Sequence, residues 1–328
     1  MSALLDVKNL SVVLPTANGP LHAVQRVSFA VNRGETLCIV GESGCGKSMT
    51  AMAIMDLLPP GATRRADALT FDGEELSRRR DAIAGLRGRR ISMIFQEPMT
   101  SLNPVFTIGD QLTTVFRKND KGSKAQARER AVYLLERVGI THAAQRLAQY
   151  PHELSGGLRQ RVMIAMALMC GPDLVVADEP TTALDVTVQA ELLHLLMTLQ
   201  KEFGMGLVLI THDLGIVSRI ADQICVMYAG QIVESGTAAQ IFGKPLHPYT
   251  SGLMRCLPSH ARRGEEHLAT IRGTVPSLVG DLRGCRFRER CDLACLACAE
   301  DITLIEHTGG HLARCIVTAE EPDLATHT

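Results

Sequence analysis

The feature that most constrains this chain of 328 residues is a glycine-rich loop, residues 41–48, with the sequence GESGCGKS. The loop fits the pattern G-x-x-x-x-G-K-[ST]. A short apolar run, Thr36 to Val40, precedes it and predicts a buried strand, and a helix is predicted after it from Ser48 to Leu58. A loop in this position turns backbone N–H groups and the positive end of a helix toward an anion. The sequence therefore predicts a phosphate-binding loop in an α/β fold.

Two side chains of this loop suit a bound polyphosphate. Lys47 can reach the β- and γ-phosphates, and the Ser48 hydroxyl can ligate Mg²⁺. Cys45 is interpreted as a small filler whose backbone makes the contact, in preference to a redox thiol. The candidate ligand-binding residues of this segment are Gly41, Glu42, Ser43, Gly44, Cys45, Gly46, Lys47, Ser48 and Met49.

Two adjacent carboxylates follow a second apolar run, Leu174 to Ala177, which predicts another buried strand. Asp178 at the end of this strand can hold Mg²⁺ through water. Glu179, one residue further on, can polarise a water molecule as general base. A surface turn could also carry two acids, but the phosphate loop upstream favours the catalytic interpretation.

A second glycine-containing helix start lies at LSGGLRQ, residues 154–160. Ser155 is a candidate N-cap, and Gly156 and Gly157 leave the first amides of the helix uncovered. Taken alone, the segment is either a second anion site or simply a capped helix, and the residues by themselves do not separate the two.

The remaining pattern alternates strands with helices, which predicts a mainly parallel core sheet. Residues 105–150 are predicted to be helical and polar. After about residue 243 prolines and cysteines become frequent, and a domain boundary is predicted near 243–246. Residues 1–243 are expected to bind nucleotide without the rest. The other predicted elements are a helix from Ser155 to Cys170, a helix from Val186 to Phe203, and strands from Met205 to Ile210 and from Asp222 to Tyr228.

Read in order, the motifs resemble those of ATP-binding subunits of ABC transporters, over about residues 4–243. The resemblance implies an ABC-type P-loop NTPase fold with a mainly parallel core sheet, an antiparallel β subdomain and an α-helical subdomain over about 97–170. A small Cys-rich extension, 244–328, would follow it. The matching segments are GESGCGKS (41–48), Gln96, LSGGLRQ (154–160), VVADE (175–179), ALD (183–185) and His212.

The resemblance also implies a mechanism. ATP with Mg²⁺ would be hydrolysed between two subunits that meet head to tail. Gln96 would contact Mg²⁺ and the attacking water, His212 would contact the γ-phosphate, and Asp185 would lie in the loop between subunits. Lys47, Gln96, Glu179 and His212 are the implied catalytic residues, and Ser48, Gln96 and Asp178 are the implied Mg²⁺ ligands. The segment that closes over the γ-phosphate of the other subunit would consist of Ser155, Gly156, Gly157 and Gln160.

One position departs from the family pattern. Relatives stack adenine on an aromatic residue near the first strand, and the matching position here is Leu14. The base would then gain an apolar contact in place of a ring stack, at a cost of roughly 1 kcal/mol.

Three further segments resemble the oligopeptide and dipeptide importer subfamily: FQEPMTSLNP at 95–104, LHPYT at 246–250 and GCRF at 284–287 with Arg290 and Cys291. Import of di- or oligopeptides is therefore expected, although nickel, glutathione and sugar importers share much of this pattern. The implied partners are a second ATPase subunit, identical or homologous, two membrane permease subunits and, indirectly, an extracytoplasmic solute-binding protein. The expected location is peripheral, on the cytoplasmic face of the inner membrane.

Composition weighs against the alternative of a non-transport ABC ATPase that acts on ribosomes or DNA. The formal net charge is −1, so no basic excess marks a nucleic-acid partner, and none is expected. The chain has a single ATPase half and no sustained heptads. The longest apolar run has nine residues, Val162 to Cys170, whereas a membrane span needs about 20, so the permease is expected to be a separate polypeptide.

Five of the ten cysteines fall between Cys285 and Cys315. Cys285, Cys291, Cys298 and Cys315 follow the spacing C-x₅-C-x₆-C-x₁₆-C, and Cys295 is an additional thiol. The pattern resembles the tail of some peptide-importer ATPases, a few of which carry an iron–sulfur cluster. Three alternatives stay open: a [4Fe–4S] cluster, tetrahedral Zn²⁺, or plain reduced thiols.

Overall fold

The computed structural model describes residues 3–76, 80–97, 101–120, 122–181, 185–257, 270–280 and 282–317. The chain forms two sheets with helices packed around them.

The first sheet is antiparallel and holds five strands in the order β2-β1-β5-β6, with β4 paired to β1. Alternation in β1 buries Leu5, Val7, Leu10 and Val12 on one face, as expected for a strand with one side against the core. The strands are β1 (Leu5–Thr16), β2 (Gly19–Val31), β4 (Thr63–Arg65), β5 (Ala68–Phe71) and β6 (Glu74–Glu75).

The second sheet has eight strands in the order β12-β13-β11-β10-β3-β9-β8-β7, and the run from β10 to β7 is parallel. Strands β3, β8 and β9 are buried at every position, which explains their continuous apolar sequences. The strands are β3 (Thr36–Val40), β7 (Ile91–Ile94), β8 (Leu174–Asp178), β9 (Gly206–Ile210), β10 (Gln223–Tyr228), β11 (Gln231–Thr237), β12 (Ile305–Glu306) and β13 (Leu312–Ala313).

Most helices begin at a residue whose side chain caps the first turn, as Ser123, Ser155, Asp185 and Thr237 do. The described helices are α1 (Lys47–Ile54), α2 (Arg80–Leu86), α3 (Ile108–Asp120), α4 (Lys124–Arg137), α5 (Ala143–Arg146), α6 (Gly156–Ala167), α7 (Val186–Phe203), α8 (Leu214–Ile220), α9 (Ala238–Gly243) and α10 (Pro248–Arg255). Among the residues described, no helix combines the length and apolar character that crossing a membrane requires.

The C-terminal extension joins the core sheet. Strand β13 pairs with β11, and β12 pairs with β13. The buried carboxylate of Glu234 in β11 accepts hydrogen bonds from the backbone N–H groups of Leu246 and His247 at 2.8 and 2.9 Å and lies 2.7 Å from Nε2 of His311. The extension is therefore tied to the core both at its start and near its end.

Candidate active site

The glycine-rich loop connects β3 to α1, as predicted. Two of its glycines lie where no residue with a side chain would fit. Gly41 and Gly46 have φ angles of 152° and 103°. A Cβ on Gly41 would lie 2.1 Å from the carbonyl oxygen of Met227, and one on Gly46 would lie 2.3 Å from that of Ala23. The close approach of neighbouring backbone therefore fixes the glycines of this motif.

Lys47 is buried across the loop. Its Nζ donates hydrogen bonds to the carbonyl oxygens of Gly41 and Glu42 at 2.8 and 3.1 Å. It also lies 4.0 Å from Oε1 of Glu179. A cation held between the loop and a carboxylate can neutralise phosphate charge there. Cys45 beside it is buried, and burial raises the pKa of its thiol, which agrees with a filler role.

Ser48 and Asp178 connect the start of α1 with the end of β8. The Ser48 hydroxyl donates to Oδ1 of Asp178 at 3.0 Å. Burial raises the pKa of Asp178, the neighbouring charge of Glu179 raises it further, and the hydrogen bond from Ser48 opposes both. A hydroxyl and a carboxylate in contact supply two oxygen ligands of the kind that Mg²⁺ prefers.

Glu179 is the point where the other predicted catalytic side chains meet. Gln96 donates through Nε2 to Oε2 of Glu179 at 3.2 Å, and Nδ1 of His212 lies 3.6 Å from the same oxygen. Glu179 has a φ of 43°, an uncommon conformation for a residue with a side chain, and its N–H donates to the carbonyl of Ile210 at 3.0 Å. Backbone strain of this kind is typical of functional positions.

Lys47, Ser48, Gln96 and Glu179 line one cleft of about 520 Å³, a size usual for small-molecule sites, whereas His212 contacts Glu179 without lining the cleft. Gly41, Glu42 and Cys45 belong to the loop without lining the cleft, and Asp178 lies behind Ser48. The lining residues are Leu14, Leu21, Ala23, Ser43, Gly44, Gly46, Lys47, Ser48, Met49, Gln96, Glu179, Ser277 and Leu278.

The second motif lies away from this cleft. Ser155 caps α6 by accepting a hydrogen bond from the N–H of Leu158 at 3.4 Å, and both Ser155 and Gly156 are exposed. Gln160 is fully buried in the same helix and does not reach the surface that Ser155 and Gly156 present. Asp185 is exposed and caps α7 by accepting from the N–H of Val188 at 3.0 Å. Residues 182–184 lie outside the described chain, and with them Ala183 and Leu184 of the ALD motif.

The sequence reasoning missed contacts from the extension to the loop. Arg290 makes two hydrogen bonds to the Glu42 carboxylate, at 2.7 and 3.0 Å. The Tyr249 hydroxyl accepts a hydrogen bond from the Glu42 N–H at 2.9 Å. The extension thus engages both the carboxylate and the backbone N–H of Glu42. Tyr249 and Arg290 belong to the subfamily motifs, and their presence there was the sequence feature that could have pointed to these contacts.

The four predicted thiol ligands share one location. Cys285, Cys291, Cys298 and Cys315 line a small cavity of about 10 Å³, and Sγ of Cys295 lies 3.7 Å from Sγ of Cys298. Burial raises the pKa of Cys315 to about 11 and raises the pKa of Cys285 as well. Within the described part of the chain, no three His, Cys, Asp or Glu side chains are arranged closely enough to hold a metal ion. The four thiols are groups that metals bind, and they lie at one location, but they are not close enough to one another to form a coordination site.

Two family profiles match the chain. The profile described as ABC transporter matches residues 24–182, and the profile described as oligopeptide/dipeptide transporter, C-terminal region, matches residues 233–298. The oligopeptide transport ATP-binding protein OppD of Haemophilus influenzae is 49% identical over 327 residues, covering 99% of this chain and 100% of that protein. The dipeptide transport ATP-binding protein DppD of Escherichia coli is 47% identical, covering 95% of this chain and 96% of that protein.

Solved structures show the same fold. The ATP-binding cassette MJ0796, determined as a dimer bound to ADP and phosphate, has a TM-score of 0.63 and 26% identity and covers 71% of this chain and 98% of its own. The protein cbiO1 of Clostridium perfringens, part of an ABC transporter complex, has a TM-score of 0.62 and 28% identity, covering 74% and 92%. The chain therefore belongs to the ABC transporter ATP-binding proteins, in the branch that carries the oligopeptide/dipeptide C-terminal region.

Proposed function

We propose that this chain is the ATP-hydrolysing subunit that powers the import of di- and oligopeptides through a separate membrane permease. The observation that carries the hydrolytic part is the convergence of Lys47, Gln96 and His212 on the Glu179 carboxylate, beside the Ser48–Asp178 pair. The peptide part rests on the extension and on relatives whose names state oligopeptide or dipeptide transport.

The residues divide the reaction between them. Lys47 and the loop amides hold the phosphates, and Ser48, Asp178 and Gln96 would hold the Mg²⁺ that accompanies ATP. Glu179 accepts a proton from the attacking water, whose oxygen bonds to the γ-phosphorus while the bond to the bridging oxygen breaks and ADP leaves. His212, in contact with Glu179, orients the attacking water and the γ-phosphate.

Hydrolysis requires a second ATPase subunit in this proposal. Ser155 and Gly156 are exposed at the start of α6 and lie outside the cleft of their own chain, so their N–H groups are open to the phosphates of another copy or of a homologous subunit. Asp185 is exposed at the start of α7 and is available to the same contact.

The permease would bind beside the loop that carries Gln96, residues 95–104, at the membrane's cytoplasmic face. Phe95, Val105 and Phe106 are 43%, 71% and 52% exposed, which is unusual for large apolar side chains near one loop. Phe95 also lines a cavity of about 260 Å³ with Leu57, Met93 and Met166, whose flexible side chains suit a partner helix. Pro98 to Thr100, also part of this loop motif, lie outside the described residues.

The Glu179→Gln variant tests the hydrolytic part. It removes the proton acceptor but keeps the side-chain volume, so we expect the variant to bind ATP, to lose turnover by at least about a hundredfold, and to accumulate a closed dimer when its partner subunit is present. Unchanged turnover would overturn the assignment of Glu179. Asp292→Asn, an exposed acid of the extension that is outside the cleft, is the matched control.

Uptake measurements test the peptide part. Cells that carry the Glu179→Gln chain as their only copy should lose uptake of labelled di- or oligopeptides. Loss of nickel, glutathione or sugar uptake with peptide uptake intact would reassign the solute.

The cysteine cavity supports a separate cofactor proposal. Cys285, Cys291, Cys298 and Cys315 are the candidate ligands of a [4Fe–4S] cluster or of Zn²⁺, which would fold the extension around itself. A visible absorption spectrum with iron and zinc analysis of anaerobically purified protein separates these from reduced thiols. Colourless, metal-free and folded protein would end the cofactor proposal.

A further inference from the structure

The cleft has two chemically different ends. Lys47, Ser48, Gln96 and Glu179 supply charge and hydrogen bonds at one end. The other, apolar end is lined by Leu14, Leu21 and Leu278, which backbone pairing places side by side, with Ser277 next to Leu278 in sequence. A nucleotide whose phosphates bind at the charged end would direct its base, its flat and least polar part, toward the apolar end.

Backbone pairing brings a segment of the extension to this apolar end. Leu14 in β1 lies opposite Leu21 in β2, and Leu21 in turn forms an antiparallel bridge with Val279. The N–H of His22 donates to the carbonyl of Leu278 at 2.8 Å, and the N–H of Gly280 donates to that of Pro20 at 3.1 Å. Residues 278–280 therefore extend the outer edge of the first sheet. The apolar end of the cleft is thus built on β2, which is hydrogen-bonded to β1 on one side and to residues 278–280 on the other.

Leu278 is buried, whereas Leu14 and Leu21 are half-buried and Ser277 is exposed. Three leucines around one opening supply the apolar area that a purine ring needs, and none of them carries a charge that would have to be desolvated. Leu14 is thus not the only side chain that walls the apolar end of the cleft.

We propose that Leu278 of the C-terminal extension, together with Leu14 and Leu21, forms the subsite that holds the purine ring of bound ATP. The subsite rests on the proposed function, since the phosphates must bind at Lys47 for the base to reach it. It makes the extension a part of the nucleotide site, with Leu278 as a base-binding residue.

Binding of two ligands to the full chain tests this subsite, namely Mg·ATP and inorganic tripolyphosphate, which has the phosphates and lacks the base. Leu278→Ala should weaken ATP binding by about fivefold through lost apolar contact and leave the tripolyphosphate affinity unchanged. Leu278→Met, which conserves volume, should keep ATP affinity within about twofold. Leu293→Ala, in an exposed part of the same extension that does not line the cleft, is the control and should change neither affinity.

The contradicting outcomes are distinct. Equal weakening of both ligands by Leu278→Ala would show damage to the loop, and unchanged ATP affinity would show that the base lies elsewhere; either overturns the subsite. A Leu278→Met protein as weak as Leu278→Ala would also overturn it, since contact would then not be the cause. Lys47→Ala separately tests the proposed function, which fails if that variant binds both ligands normally.

Discussion

Arg290 and Glu42 form a bidentate ion pair across 248 positions of the sequence, with N–O distances of 2.7 and 3.0 Å. Glu42 lies in the phosphate loop and Arg290 in the C-terminal extension. Only 5% of the Arg290 side chain is exposed, and it also packs over the rings of Tyr228 and Phe287. The hydrogen bonds to Glu42 raise the pKa of Arg290 above its ordinary value, so this guanidinium stays charged. The extension thereby holds the loop in place.

We expect Arg290→Ala to impair ATP hydrolysis although Arg290 does not line the nucleotide cleft. Loss of the pair frees the second residue of the loop, and a small misplacement of the loop should lower kcat/KM for ATP by about tenfold. Steady-state ATPase assays of the full chain check this. A double-mutant cycle that combines Arg290→Ala with Glu42→Gln should show a coupling of about 1–3 kcal/mol in the free energy of unfolding. Additive effects of the two substitutions would show that the pair is not coupled.

Gly46→Ala should be far more damaging than an ordinary glycine substitution. Its Cβ would lie 2.3 Å from the carbonyl oxygen of Ala23, in addition to the strain of a φ of 103°. Gly34→Ala is a matched control, because Gly34 has a φ of 72° but open space around it. We expect Gly34→Ala to cost about 1 kcal/mol of unfolding free energy with normal ATP binding, and Gly46→Ala to cost at least about 2 kcal/mol and abolish ATP binding. Equal effects in chemical denaturation would contradict the clash.

Low pH should destabilise the contact between the core sheet and the start of the extension, where His247 lies. This imidazole is buried, and burial lowers its pKa from 6.5 to about 3, with the charge of Arg314 adding to the effect. The folded protein favours neutral His247. Its contribution to the free energy of unfolding is therefore complete above pH 6.5 and falls as the pH drops toward 3. At pH 5 the free energy of unfolding is lower by about 2 kcal/mol for this reason.

Urea unfolding at pH 7.5 and pH 5.0 checks this contribution. In the parent chain, Nδ1 of His247 accepts a hydrogen bond from the N–H of Tyr249 at 3.1 Å. His247→Asn keeps an acceptor for this N–H but removes the titrating ring. The variant should lose about 2 kcal/mol less than the parent chain between the two pH values. The same acid loss in both proteins would show that other groups cause it.

Sequence was a good guide where a pattern is local. The helix predicted from Val186 to Phe203 is observed with the same ends as α7, and the structure adds Asp185 as its capping residue. It was a poorer guide where tertiary contacts end an element. The helix predicted to Leu58 ends at Ile54, because the chain turns at Asp56, which has a φ of 52°. The polar segment predicted as helical over 105–150 is divided into α3, α4 and α5.

The candidate catalytic residues could be brought together from sequence because each one follows a strand or begins a helix within a recognisable motif. The contribution of the extension could not be predicted, since Tyr249 and Arg290 reach the loop, and Leu278 reaches β2, through contacts between residues more than 200 positions apart in sequence. The expectation that residues 1–243 alone bind nucleotide left these contacts out. A chain that ends at residue 243 is now expected to bind ATP more weakly than the full chain, and equal binding would favour the earlier expectation.

The exposed apolar residues before α3 should matter for transport but not for basal ATP hydrolysis. Val105 and Phe106 are 71% and 52% exposed and do not line the nucleotide cleft. We expect Phe106→Ser to leave the ATPase rate of the isolated chain within about twofold and to reduce peptide uptake by at least about tenfold, because a buried aromatic anchor typically contributes 2 kcal/mol or more to an interface. Leu296→Ser, at a site in the extension that is 96% exposed, is the matched control and should affect neither rate. Co-purification of the permease with each variant locates the defect, since retained permease binding by Phe106→Ser would exclude this surface as the docking site.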